Sequence, residues 1–118
     1  MAFTSNRDEI PPGTLDILIL KTLSRAEELH GFEIASQIQQ ISEDVLQVEE
    51  GSLYPALQRM LVKGWLTAEW GKTAENRRAR YYRLTRSGRK QLEQQIERCE
   101  RISRAIARVL RPAYGGNT

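Results

Sequence analysis

The chain has 118 residues, 40% hydrophobic and 28% charged, with a net charge of +3, which suits one folded domain with a modest core. Its longest apolar stretch, TLDILILKTL, is broken by Asp16 and Lys21 and falls short of the roughly 18–20 residues of a membrane helix. One cysteine, Cys99, excludes an intrachain disulfide and any cysteine-cluster metal site, and reads as a small apolar packing residue.

Residues 1–12 read as an arm. MAFTSNRDEIPPG lacks the apolar core of a secretory signal, so a cytoplasmic location is expected. Pro11-Pro12-Gly13 closes the arm and sets up a first helix from Thr14. Its apolar positions, Leu15, Ile17, Leu18, Ile19, Leu20 and Leu23, form a stripe too wide for a surface helix. Burial on more than one side suggests a partner chain over Leu15 and Leu18. A second helix follows His30-Gly31, marked by Phe32, Ile34, Ala35, Ile38 and Ile41, with Phe32, Ala35 and Ile38 on one face. His30, just before it, reads as a cap or packing residue. SEDVLQVEEG is turn-like, with a short extended run at 45–48.

In EGSLYPALQRMLVKGWL, Leu53, Leu57, Met60 and Leu61 recur at helical spacing. A start near Gly51 or Ser52 puts Pro55 in the first turn, where its missing N–H costs little, with Ser52 as N-cap. Gly64 ends this third helix. WLTAEW and ARYYRL then read as strands of a β-hairpin whose long tip is GKTAENR. Alternation gives Trp65, Leu66, Tyr82 and Leu84 an inward face. A last helix runs from Arg86 to about Leu110, just before Pro112. Leu92, Ile96, Cys99, Ile102, Ile106 and Val109/Leu110 form a seam along it, and its length of about 37 Å exceeds the width of the core. Such a helix calls for a partner. Residues 112–118 form a tail.

Charge is concentrated in the hairpin and the first turns of the last helix. Residues 72–90 hold Lys72, Arg77, Arg78, Arg80, Arg83, Arg86, Arg89 and Lys90 against Glu75, or +7, leaving −4 for the rest of the chain. A localised basic patch is the footprint of a polyanion site. Three helices, a basic hairpin and a long helix give the order of a winged helix-turn-helix, a mainly α fold with a small β wing. There the third helix enters the major groove and the wing grips phosphates. With Leu53, Leu57 and Leu61 inward, Ser52, Pro55 and Arg59 point away and Tyr54 and Gln58 lie on one flank. Ser52 and Tyr54 suit phosphates, Gln58 and Arg59 suit base edges, and Pro55 suits a thymine methyl. A half-buried core role for Tyr54 stays open. Lys72, Arg77, Arg78 and Arg80 supply the wing's phosphate grip.

GTLDILILKTL, HGFEIASQI, GSLYPALQRMLVKGWL, ENRRARYYRLT and SGRKQL, over roughly residues 13–92, resemble the PadR family of transcriptional regulators. The resemblance implies a dimeric, cytoplasmic, bacterial DNA-binding regulator, usually a repressor, paired through its first and last helices. It maps DNA contacts onto Ser52, Tyr54, Pro55, Arg77 and Arg78. The single C-terminal helix resembles the short branch, with a winged domain over 13–85 and a dimerisation helix over 86–111. Some drug-sensing members hold flat ligands with a tryptophan on that last helix. Here both tryptophans, Trp65 and Trp70, lie in the hairpin. The implied partners are operator DNA and a second copy, with room for a small-molecule effector of unspecified kind; no cofactor, metal or membrane is called for.

Two other classes fit less well. A protein-binding winged helix does not need a cationic wing and recognition face, and this chain has both. An enzyme would need a nucleophile and a base, metal-spaced ligands or a phosphate loop, none of which the sequence provides. The expected mechanism is steric: a dimer sets two third helices into successive major grooves of an inverted repeat and occludes a promoter.

Overall fold

The structure, a computed structural model, describes residue 10 and residues 13–112. Most of the expected arm and tail, with Pro11 and Pro12, lies outside the described residues. The elements in chain order are α1 (Leu15–Ser24), β1 (Leu29–His30), α2 (Gly31–Ile41), α3 (Glu50–Val62), β2 (Leu66–Lys72), β3 (Arg78–Leu84) and α4 (Arg86–Leu110). The fold is mainly helical with a small antiparallel wing, as the sequence order implies. The sheet has a third strand that the sequence reading missed: β1 pairs with β3, giving the order β1-β3-β2. Two residues are too short for an alternation to show.

The core is built where the helices meet the base of the sheet. Ile19, Leu20 and Leu23 of α1, Ile34 of α2, and Leu53, Leu57 and Met60 of α3 are fully buried. Leu29, Leu66, Tyr82 and Leu92 close the cluster. Truncating one of the fully buried side chains costs about 2–5 kcal/mol. Thr22, buried among them, donates its hydroxyl to the Leu18 carbonyl at 2.7 Å, so no polar atom is stranded there. In α2, Ile34 and Ile38 point inward. Phe32, expected on the Ala35–Ile38 face, is instead exposed. It is the second residue of α2, where that face has run past the edge of the core.

Local chemistry fixes the joints. His30 caps α2: its Nδ1 accepts from the Glu33 N–H, and the Glu33 carboxylate accepts from the His30 N–H, forming a capping box. At the end of α3, Gly64 has φ +79°, the Trp65 N–H donates to Met60 O, and the Gly64 N–H to Leu61 O. This is a Schellman stop, and it turns the chain directly into β2. At the start of α4, the Thr85 hydroxyl accepts from the Gly88 N–H and donates to Gly64 O at 2.7 Å. The α4 start is thus tied to the α3 end. From residue 97 onward every described position of α4 is exposed in the single chain.

Candidate nucleic-acid interface

Helix α3 starts earlier than expected. Glu49 is its N-cap, so Ser52 is the third helical residue and not the cap. Its N–H donates to Glu49 O at 3.0 Å. Pro55 therefore lies in the second turn, where its missing N–H leaves the Gly51 carbonyl without a helical donor. The expected first-turn explanation is corrected: this helix tolerates the loss because Pro55 and Gly51 both face outward.

The outward face is also rotated from the expected one. Leu53, Ala56, Leu57 and Met60 are buried, and Leu61 is only partly so. At 3.6 residues per turn, Gly51, Pro55, Gln58 and Val62 then form the outward stripe. Ser52 and Arg59 share one flank and Tyr54 takes the other. Arg59 reaches α1, where its guanidinium pairs with Asp16 at 2.7 Å. In this state it is held away from the stripe it was expected to serve.

The wing is tighter than the sequence suggested. Strand β2 runs through Gly71 and Lys72, and Lys72 pairs with Arg78. The remaining tip closes as a turn, with the Asn76 N–H donating to Thr73 O and Asn76 at φ +65°. Asparagine tolerates that left-handed backbone better than most residues. Register sorts the side chains. Leu66, Leu84, Ala68 and Tyr82 share the inward face, which continues outward as Trp70, Arg80, Lys72 and Arg78. Trp65, expected inward, is partly buried where β2 begins.

Arg83 and Tyr81 lie on the opposite face. Arg83 pairs with Glu28 at 3.1 Å and Glu27 at 3.6 Å, which removes it from the basic patch. Tyr81 donates to Lys72 O and meets the His30 ring edge-on at 5.3 Å. Burial, the leading cause, pushes the Tyr82 phenol above its ordinary 10.0, with Arg80 opposing.

Between α2, α3 and the wing lies an open trench of about 450 Å³. Phe32, Tyr54 and Trp70 form its aromatic rim, and Arg77, Arg78 and Arg80 its cationic side. Tyr54 is half-exposed because its ring rests on Gly31; a Cβ there would stand 2.6 Å from the Tyr54 hydroxyl. This placement joins the two readings of Tyr54, with the ring packed and the edge presented to the trench. Of the expected contact residues, Tyr54, Arg77, Arg78 and Arg80 meet here. Lys72 shares the wing face, Pro55 and Gln58 lie on the outward stripe, and Ser52 and Arg59 lie on the far flank. Phe32 and Trp70 were not foreseen as rim residues. Strand alternation carried the signal for Trp70, because it continues the Leu66–Ala68 face.

The expected dimerisation residues divide into two groups. Leu15, Leu18, Leu92 and Ile96 pack on the chain's own core, fully or in part, whereas Cys99, Ile102 and Ile106 are exposed. Val109 and Leu110, at the end of the expected seam, are exposed as well. Among the described residues no cluster could hold a metal ion, and no helix is long and apolar enough to cross a membrane.

Comparison with known proteins agrees with this fold. A transcriptional regulator from Clostridium thermocellum is 27% identical, with a TM-score of 0.75 over 82% of this chain and 93% of its own. A PadR family transcription regulator from Clostridium difficile is 31% identical, with a TM-score of 0.71 over 84% of this chain and all of its own. Bacillus subtilis PadR in complex with operator DNA shares the fold at 24% identity and a TM-score of 0.63, over 74% of this chain and 48% of its own. These relatives are transcription regulators and not enzymes. The transcriptional regulator PadR-like family matches residues 19–94, and the chain belongs to that family.

Proposed function

We propose that this protein binds double-stranded operator DNA as a homodimer and represses transcription by occluding a promoter. The observation that carries the reading is the trench in which Arg77, Arg78 and Arg80 of the wing meet Tyr54 on one flank of α3. The outward stripe of α3 fits a major groove, and the cations fit the flanking phosphates. The likeness to Bacillus subtilis PadR, described with operator DNA, supports the same use of the fold. In this reading residues 13–85 are the DNA-binding unit and 86–111 the dimerisation helix, acting in the cytoplasm where the DNA is. The exposed seam of Ile102, Ile106, Val109 and Leu110 favours a second copy as its cover. A small-molecule effector or other signal would act by changing the spacing of the two heads through α4.

Selection of bound duplexes from a random pool tests the proposal. The expected product is an inverted repeat with half-site centres about 10–10.5 base pairs apart or somewhat more. No enrichment over several rounds would refute sequence-specific binding, and a lone half-site would refute the dimer.

A further inference from the structure

Trp70 is 60% exposed on the wing, an expensive place for so large an apolar ring. What it touches accounts for it. It lies directly across from Arg80 and diagonally from Arg78 on one face of the hairpin. The Arg78 guanidinium carbon sits 4.2 Å from the ring centroid, and that of Arg80 sits 5.9 Å away. Among the described residues, no carboxylate lies within 4.0 Å of either guanidinium. On the opposite face Arg83 is held in a different way, by Glu27 and Glu28. A carboxylate fixes an arginine but cancels its charge and occupies its N–H donors. An indole under the flat of a guanidinium fixes it and leaves its charge and in-plane donors free, apart from the donor that Arg80 shares with the Tyr82 hydroxyl.

We infer that Trp70 is a positioning residue for DNA binding: a stacking platform that orders Arg78 and Arg80 so that their donors meet the phosphates. This rests on the DNA-binding reading above. A free arginine loses much of its rotamer freedom when it grips a phosphate, and the platform removes part of that loss beforehand. The formal charge of the wing is the same without Trp70, so a charge-counting account expects no change on its removal.

The test compares wild type, Trp70→Leu and Trp70→Phe on the selected duplex across a salt series. Losing that advance ordering of two rotamer-rich arginines makes Trp70→Leu bind about 5- to 30-fold more weakly. Its salt dependence becomes shallower although no charge is lost, and Trp70→Phe restores most of both. In an Arg78→Ala/Arg80→Ala background, Trp70→Leu has no further effect. A persisting effect there would overturn the positioning role and make Trp70 itself a DNA contact. In free protein, 15N relaxation of the arginine Nε groups reads the platform without DNA: ordered in wild type, mobile in Trp70→Leu. Unchanged arginine order and salt dependence in a Trp70→Leu protein that melts like wild type would overturn the platform alone. A wild type that binds no duplex would overturn the DNA reading itself, whatever the relaxation shows.

Discussion

Replacing glycine by alanine in two helices of this protein should change stability in opposite directions. At Gly88, in the first turn of α4, an added Cβ would stand 2.2 Å from the Trp65 carbonyl oxygen and 2.7 Å from Leu84 Cδ1. Ordinary contact begins near 3.4 Å, so the helix start must retreat by about 1.2 Å (3.4 minus 2.2). That retreat pulls on the Thr85 N–H bond to Trp65 O at 3.0 Å and the Thr85 hydroxyl bond to Gly64 O at 2.7 Å. Overpacking costs about 1–3 kcal/mol, and each strained hydrogen bond about 1 kcal/mol. Alanine's helix preference returns about 1 kcal/mol. The net loss for Gly88→Ala is about 2–4 kcal/mol, a drop of about 8–20 °C in Tm. At Gly51 no heavy atom lies within 4 Å of the added Cβ, so Gly51→Ala should stabilise by up to about 1 kcal/mol. Thermal melts followed by circular dichroism at one protein concentration compare the two. Gly88→Ala melting at or above wild type would refute the close approach of α4 to the β2 start.

Other perturbations test other joints. Asp16→Asn frees Arg59; because Arg59 is half-exposed, the stability change stays under about 1 kcal/mol. DNA binding then tightens and its salt slope steepens by up to about 0.9 per head, and an unchanged slope would remove Arg59 from the interface. Ile102→Lys with Ile106→Lys should give a monomer by sedimentation, with wild-type circular dichroism and weak operator binding; a stable dimer would displace the seam from that role. The raised Tyr82 phenol sets a pH limit. The folded state holds that proton above 10.0, so its stabilising contribution is complete below that value and is lost as pH rises through the folded pKa. Denaturant midpoints should fall above about pH 10, and less steeply in Tyr82→Phe.

The sequence made the fold legible wherever a pattern was long or a cap was specific. The apolar spacing of α1 and α4, the glycine stop at Gly64 and the alternation ending in Tyr82 and Leu84 all found their places. What escaped it depended on partners distant in sequence. Two-residue β1 exists because His30 and Leu29 find Tyr81 and Tyr82 on β3. Ser52 looked like a cap because serine suits caps, yet Glu49 is the cap and the helix begins at Glu50, one residue ahead of the expected earliest start. The burial of Ala56 and Met60, with Leu61 only partly covered, turned the outward face toward Gln58 and Val62. Arg59 was counted as a free cation because nothing local reveals that Asp16, 43 residues earlier, folds against it. Arg83 likewise belongs to Glu27 and Glu28. Charge density was readable from the sequence, whereas which charges are free needed the fold.

The most direct test of the central claim is fluorescence anisotropy of the selected duplex against a scrambled one across a salt series. Wild type is compared with Arg78→Ala/Arg80→Ala. The account predicts selective binding by wild type, with the mutant's log K against log salt slope shallower by up to about 3.6. That is four lost phosphate contacts per dimer at about 0.9 each. Equal, weak binding to both duplexes, or the same slope in the mutant, would contradict a wing that grips phosphates beside a reading helix.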